Sequence, residues 1–319
     1  MSRSLKQRLI FLVAANAICL VSIYALLQEG ASFSLVLKRS GPEVAPVLLG
    51  ALGLTCVILC GAIDLSIGSI LAVGGTLFAC LAYRGFSPFA AWFACFGVCW
   101  GLTLANGYTV RWLRLPAIIV TLGGLAFYRG VALILASVAA TGLGESLSVQ
   151  QPEYHLPGKE YAGWLLAVGI VIAVAWERFG KLPRLWRGLG CSREACRLHG
   201  LDPDRILQSA FVVHGFFLGL ASLIYVTRLQ VIEPARLGRH FELDVIGAIV
   251  LGGTNIFGGE GSAWGTILGA CLLYEIGELL VYAGVNPYYQ DVIRGGVILL
   301  VIGIDCALHR RRKQMEELT

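Results

Sequence analysis

Long runs of apolar residues fill most of the chain, and short polar segments separate them. A helix that crosses a bilayer needs about 20 mostly apolar residues, and ten segments approach that length. The segments are residues 9–27, 44–60, 65–83, 89–110, 116–137, 161–176, 206–227, 243–257, 263–283 and 288–307. This pattern predicts an all-α integral membrane protein with about ten transmembrane helices, forming a single transmembrane domain over residues 1–319.

The composition is that of a membrane protein. Hydrophobic residues make up 57% of the chain and charged residues 14%, whereas soluble domains carry about 25% charged residues. The mean hydropathy of +0.75 agrees with this difference and excludes a soluble domain. The 40 glycines suit transmembrane helices whose backbones approach closely. The net charge of +5 comes from basic residues at span ends, so no nucleic-acid partner is expected.

The distribution of basic residues predicts the orientation, because lysine and arginine are enriched in cytoplasmic loops. With the N-terminus inside, the inner segments hold 16 Lys and Arg residues and the outer segments hold seven. An even number of spans then places both termini in the cytoplasm. The apolar core of residues 9–27 is longer than the ~7–15 residues of a signal-peptide core, so we expect a retained first helix.

One long polar stretch, residues 181–205, interrupts the apolar pattern and carries six Lys and Arg residues. We expect it on the cytoplasmic side. Pro183 and the glycines at 188–190 are predicted to end the preceding helix, and Asp202 with Pro203 is typical of the start of the next. A short helix over residues 191–199 would lie between these breaks. An exposed helix between two spans is typical of a docking element.

Two glycine-rich breaks follow apolar segments that are short for a span. Residues 44–60 precede the break at 61–68, and residues 243–257 precede the break at 258–261. Non-helical backbone at membrane depth is tolerated where protein or a water-filled path covers it, so paired breaks indicate a translocation pathway. Two ordinary cytoplasmic turns are the alternative, and the sequence does not decide between them.

Several polar residues within or beside the spans are candidates for a substrate pathway. Asp64 with Ser66 is typical of an N-cap for the helix that follows, and a pathway role would be additional to that. Arg129 lies in mid-span, where a charge is costly unless it faces the bundle interior, a partner or water. The candidate pathway residues are Asp64, Ser66, Asn106, Thr121, Arg129 and Asn255.

Acidic residues in the last spans keep a second class of function open. Glu275 and Glu278 are three residues apart on the penultimate span, as are Asp291 and Arg294 on the last, and buried acids are typical of proton-coupled secondary transporters. The cysteines show no CxxC and indicate packing rather than a metal site. The histidines, His214 among them, are isolated, in loops or near span ends. No motif for nucleotide binding or catalysis is present, so we expect no enzyme activity of the chain itself.

Four ordered motifs resemble the permeases of ribose/xylose/rhamnose-type ABC sugar importers, members of the branched-chain amino acid/monosaccharide permease superfamily. They are GAIDLSIGS at 61–69, RLPAIIVTLG at 114–123 followed by Arg129-Gly130, Glu194-Ala195 with RLHG at 197–200, and VLGGTNIFGGEGS at 250–262. The resemblance covers about residues 44–307. It implies a multi-pass subunit of the bacterial cytoplasmic membrane, surrounded by lipid, that imports a monosaccharide.

The resemblance also implies partners. A second permease copy or paralogue, a cytoplasmic ABC ATPase and a periplasmic sugar-binding protein would complete the importer, and ATP and Mg would bind the ATPase, with no cofactor on this chain. The helix inserted into the ATPase would contain Arg193, Glu194, Ala195, Arg197 and Gly200. Cys191-Ser192-Arg193 and Cys196 depart from the family's commoner Asn-Pro and small residue, which leaves the choice of ATPase open.

The outer loops are expected to dock the binding protein, and their sequence bears on the substrate. Basic residues outnumber acidic ones on the predicted outer face, and Arg236 with Arg239 are candidates for docking the binding protein through charge complementarity. Pentose, deoxyhexose, galactose and autoinducer-2 importers share all four motifs. The segment Arg236-Leu-Gly238 with Glu242-Leu243 favours a rhamnose-like substrate.

Overall fold

The computed structural model describes residues 33–139 and 146–286, with a few single positions after residue 286. The helices are α1 Phe33–Leu59, α2 Ile67–Tyr83, α3 Pro88–Leu113, α4 Ala117–Ala139, α5 Leu156–Lys159, α6 Ala162–Phe179, α7 Leu182–Cys191, α8 Arg193–Leu198, α9 Pro203–Arg228, α10 Phe241–Leu251 and α11 Ala263–Tyr282. A 3₁₀ helix covers Pro152–His155, and the strands are β1 Leu147–Ser148 and β2 Val231–Ile232. The regular secondary structure of the described residues is therefore helical apart from one strand pair. Both termini, the predicted span 9–27 and most of the span 288–307 lie outside the described residues.

Six helices in the described ranges are long and apolar enough to cross a membrane: α1, α3, α4, α6, α9 and α11. This finding confirms a multi-pass membrane protein, while the count of ten and the orientation stay predictions. The predicted segment 44–60 is too short, because α1 begins at Phe33. The predicted segment 243–257 is too long, because α10 ends at Leu251, where Gly252 and Gly253 close its last turn.

The helix α10 is a half-span. Its 11 residues rise about 16 Å at ~1.5 Å per residue, against a hydrocarbon core of about 30 Å. The α2 helix, with 17 residues, is also shorter than the six candidate spans. The second break therefore follows a helix too short to cross the membrane, whereas the first break lies between the candidate span α1 and the shorter α2.

The core of the bundle forms around α9, which packs against α1 and α3. Glycines on the neighbouring helices make room for its aromatic side chains. A Cβ added to Gly107 would lie 2.7 Å from Cβ of Phe211, and one added to Gly53 would lie 2.8 Å from Cβ of Phe217. The glycine content thus reflects close helix packing, as the composition predicts.

Close packing at glycines also joins α10 to α11. A Cβ added to Gly252 would overlap the carbonyl oxygen of Gly265, and a Cβ added to Gly265 would overlap the carbonyl oxygen of Gly252. A Cβ added to Gly269 would likewise overlap the carbonyl oxygen of Ala248. Because no side chain separates these backbones, the half-span and α11 behave as one packed unit.

The bundle has two distinct ends. At the end that we call the strand-pair end, defined by β1, β2 and the 3₁₀ helix, Leu147 pairs with Ile232 in an antiparallel register. His155 is buried there, with its ring nitrogens 2.8 Å from the carbonyl oxygens of Thr227 and Val149. At the basic end, defined by residues 181–205, α7 packs against α1 and α9, and α8 packs against α7 and α9. The sequence predicts that the basic end faces the cytoplasm.

The outer surface of the bundle is apolar. Phe93, Phe127 and Trp164 on α3, α4 and α6 are each exposed over more than 60% of their surface. Contiguous apolar patches of this kind are unfavourable in water and mark a membrane or protein interface. These helices therefore present a lipid-facing or partner-facing side, whereas α9 is enclosed.

Candidate functional site

The first break, between α1 and α2, is organised by Asp64. Its Oδ1 accepts hydrogen bonds from the backbone N of Ser66 at 2.8 Å and from Ser66 Oγ at 2.6 Å. The prediction that Asp64 is the N-cap is wrong, because α2 begins only at Ile67 with Ser66 in the cap position. Asp64 instead folds the non-helical backbone that precedes the helix.

A buried polar network extends from this break into two neighbouring helices. Asn106 Nδ2 on α3 donates to Ser66 Oγ at 2.8 Å, and Tyr128 Oη on α4 donates to Asn106 Oδ1 at 2.7 Å. Thr121 Oγ1 accepts from the backbone N of Leu65 at 3.2 Å. The structure thus brings together four of the six candidate pathway residues, and each of the four is buried. Their role in transport stays a prediction.

His214 completes the network, and sequence reasoning missed it. The assignment to a span end is wrong, because His214 lies inside α9 and is fully buried. Its Nε2 is 3.6 Å from Asp64 Oδ2, a contact at ion-pair distance between two fully buried side chains. The available signal was the rule that an ionisable residue within a span is a functional candidate by default.

Arg129 and Asn255 lie outside this network. Arg129 Nη1 on α4 donates to the carbonyl oxygens of Leu237 at 2.6 Å and Pro234 at 3.2 Å. Of the three surroundings that the sequence left open for Arg129, the structure shows a partner, the segment between β2 and α10. Its role in a substrate pathway stays a prediction. Asn255 Oδ1 accepts from the backbone N of Phe257 at 3.0 Å and shapes the second break locally.

The polar stretch 181–205 forms two helices rather than one. The glycines at 188–190 do not break a helix but lie in the last turn of α7, whose Trp186 and Leu189 are buried. Burial of this apolar side offsets the poor helix propensity of glycine. Ser192 is extended and separates the two helices, and its Oγ accepts from the backbone N of Ala195 at 3.1 Å. The predicted helix over residues 191–199 is therefore shorter, Arg193–Leu198.

The start of α9 agrees with the prediction. Asp202 Oδ1 accepts from the backbone N of Asp204 at 3.0 Å and of Arg205 at 3.2 Å, and Pro203 occupies the first turn. Donation from the Arg205 N–H lowers the pKa of the Asp202 carboxyl below its usual range. The cap stabilises the boundary at which α8 returns to the bundle.

The surface of α8 is available to a partner. Glu194, Arg197 and Leu198 are exposed, whereas Cys196 is buried and anchors the helix. Arg193 pairs with Asp204, and Gly200 adopts a left-handed backbone with φ of 75°. Ala195 is partly buried. A cavity of about 920 Å³ lies beside this helix, lined by Arg114, Arg193 and Arg197 among other residues.

The remaining candidates lie apart from both sites. Arg236 and Arg239 are exposed near the strand-pair end, and Arg236 pairs with Glu233 at 3.5 Å. On α11, Glu275 is partly buried and Glu278 is exposed. Asp291 and Arg294 lie outside the described residues.

The described helices form a bundle with an apolar outer surface, a buried polar network at the first break and the exposed helix α8 at one end, an arrangement that suits a membrane permease. Residues 43–302 match the family described as branched-chain amino acid transport system / permease component. The chain therefore belongs to this permease family, as the four motifs indicate.

Individual relatives are named as import permeases. The autoinducer 2 import system permease protein LsrC of Photorhabdus laumondii is 33% identical over 279 residues, which cover 85% of this chain and 82% of that protein. LsrC of Yersinia pseudotuberculosis is 34% identical over 282 residues, with 85% and 78% coverage. The ribose import permease protein RbsC of Escherichia coli K12 is 32% identical over 271 residues, with 80% coverage of each chain. No solved structure matches the chain. The recognition of an ABC sugar-importer permease is confirmed, and the proton-coupled alternative gains no support.

Proposed function

We propose that this chain is the membrane subunit through which a monosaccharide enters the bacterial cytoplasm, a pentose or a deoxyhexose such as rhamnose. A separate ABC ATPase drives transport on the cytoplasmic side, and a periplasmic binding protein delivers the sugar. A second copy or a paralogue of the chain completes the permease. The names of the relatives, ribose and autoinducer 2 import permeases, support a small sugar-like substrate.

The exposed helix α8, held on α7, is the observation that carries the proposal. Trp186 Nε1 on α7 donates to Ser209 Oγ on α9 at 2.9 Å, and Pro183, Trp186 and Leu189 are buried against the bundle. Cys196 anchors α8 itself. A partner that pushes on α8 therefore moves a packed element and not a loose loop. Such an element suits transmission of movement from an ATPase to the spans.

The buried network supports a role for the first break in the transport cycle. Asp64, Ser66, Asn106, Tyr128 and His214 have little access to a substrate in this conformation. Their polar groups are nevertheless costly to enclose among apolar helices unless they are paired. We propose that the network holds the first break in one of two positions, and that ATP-driven movement at the basic end displaces it to open the pathway.

We expect Glu194→Arg to reduce sugar uptake by about tenfold or more while leaving insertion and folding intact, because it reverses an exposed contact on α8. Uptake is measured in proteoliposomes that contain the permease and its ATPase, supplied with the binding protein, with radiolabelled ribose, rhamnose and autoinducer 2 as probes. ATP hydrolysis is recorded in parallel. Glu160→Arg, the same charge change near the strand-pair end, is the matched control and should behave as wild type. Wild-type uptake in the Glu194 variant would refute ATPase docking through α8.

A second expected result concerns the binding protein. Reversing both exposed arginines, Arg236→Glu with Arg239→Glu, should slow uptake when the binding protein is limiting, because opposite charges mainly raise association rates. Added salt should slow wild type more than the double variant, since exposed charges are screened over about 8–10 Å. Arg84→Glu, an exposed arginine between α2 and α3, is the control. An unchanged response to both binding protein and salt would place docking elsewhere.

A further inference from the structure

Three segments that are distant in sequence meet backbone to backbone at the basic end. They are the first break at Gly61, the second break at Gly258 and Gly259, and the C-terminal turn of α7 at Gly190. The backbone N of Gly259 donates to the carbonyl oxygen of Leu59 at 3.0 Å, which ties the two breaks directly. We call this contact the glycine junction.

The junction has no space for a side chain on α7. A Cβ added to Gly190 would overlap the carbonyl oxygen of Leu59 and the backbone N of Gly259, and would lie 3.0 Å from the carbonyl carbon of Gly258. From the other side, a Cβ on Gly258 would lie 2.6 Å from the backbone N of Gly61 and 3.1 Å from Cα of Gly190. Gly61 and Gly258 also have positive φ, 74° and 96°, which other residues rarely adopt.

A polar clamp joins α7 to the second break independently of the glycines. Arg187 on α7 pairs with Glu177 on α6, and its Nη2 donates to the carbonyl oxygen of Gly261 at 3.0 Å. Glu177 Oε2 in turn accepts from the backbone N of Ala263, the first residue of α11, at 2.7 Å. The clamp keeps α7 in register with the loop that carries Gly258 and Gly259.

The junction lies directly between the exposed helix α8 and the buried network. Gly190 is three residues before Arg193, the first residue of α8, and Gly61 is three residues before Asp64. A contact made only of backbone cannot absorb a displacement by changing a rotamer, because packed interiors transmit strain. Any shift of α7 toward or away from the bundle must therefore move both breaks.

We infer that Gly190 is a positioning residue of the transport cycle, which passes the movement of α8 through the glycine junction to both breaks at once. The inference rests on the proposed docking of an ATPase at α8. It goes further by assigning the first and second breaks to one mechanical unit, and by naming the contact through which the Asp64 network responds to the ATPase.

The test is backbone hydrogen exchange of the full chain in complex with its ATPase, comparing the nucleotide-free and the ATP–vanadate states. In wild type, nucleotide should change the exchange of residues 60–66 and 252–262 together, by about tenfold. Gly190→Ala should abolish this change at both breaks while exchange within α8 still responds. Gly188→Ala is the matched control, two residues away on the same helix with open space around its Cβ, and should respond as wild type does.

If the Gly190 variant does not fold, Arg187→Met provides a second test. It loosens α7 from the second break without adding a side chain at the junction. In this variant the response at 252–262 should fall while the response at α8 persists. Wild-type responses at both breaks in the Gly190 or Arg187 variant would overturn the inference. A wild-type complex in which α8 itself ignores nucleotide would instead refute the proposed docking, so the two failures are distinct.

Discussion

His214→Ala should destabilise the permease by about 3–5 kcal/mol, because it leaves the Asp64 carboxylate buried without its neighbouring imidazole. Both side chains are fully buried, and Asp64 Oδ2 has no hydrogen-bond partner among the described residues. The remaining bonds from Ser66 reach only Oδ1. The loss is measured as a lower midpoint in thermal unfolding of the detergent-solubilised chain, together with reduced yield in the membrane.

A double variant separates the electrostatic cost from lost packing. Adding Asp64→Asn to His214→Ala removes the unpaired charge but keeps an oxygen that accepts from Ser66, so we expect recovery of roughly half of the loss. Val213→Ala, a buried apolar neighbour on α9, reports the cost of lost side-chain volume alone. Equal losses in His214→Ala and Val213→Ala, with no recovery in the double variant, would show that His214 is only a packing residue.

Arg129→Leu should release the segment between β2 and α10, residues 233–240, from the bundle. The guanidinium donates to Pro234 and Leu237, and a hydrogen bond to a charged group contributes about 1.5–3 kcal/mol. Without it the segment should open more often and expose its backbone. Limited trypsin digestion detects this opening, since Arg236 and Arg239 are exposed cleavage sites within the segment. We expect cleavage there to rise by about tenfold or more, and uptake to fall.

Two variants control this experiment. Arg129→Lys keeps a cation and a donor, and should restore part of the protection from trypsin. Arg114→Leu removes an exposed arginine at the basic end and should leave cleavage at Arg236 and Arg239 unchanged. Wild-type cleavage and wild-type uptake in Arg129→Leu would mean that Arg129 extends to the membrane surface and does not hold this segment.

The two breaks show what local sequence patterns predict and what they miss. Glycine clusters marked both breaks, because glycine is depleted inside helices and enriched where φ is positive, but the second break begins at Gly252 and not at Gly258. The sequence did not show that Gly61, Gly190 and Gly258 touch. It also mistook the glycines at 188–190 for helix breakers, because it could not anticipate that burial of Trp186 and Leu189 stabilises α7 around them.

The chain's class and the start of α9 follow from the sequence alone. The length of its apolar runs determines a multi-pass membrane protein, the motifs indicate the permease family, and Asp202 with Pro203 marks the start of α9 through a cap that needs only neighbouring residues. The pairing of Asp64 with His214 was decided by tertiary structure, as was the bond of Arg129 to Leu237. Each pair joins elements far apart in the chain, and helical periodicity specifies which face is apolar but not which helix will pack against it. The close approach of backbones at glycine decides that choice, and it exists only in the folded bundle.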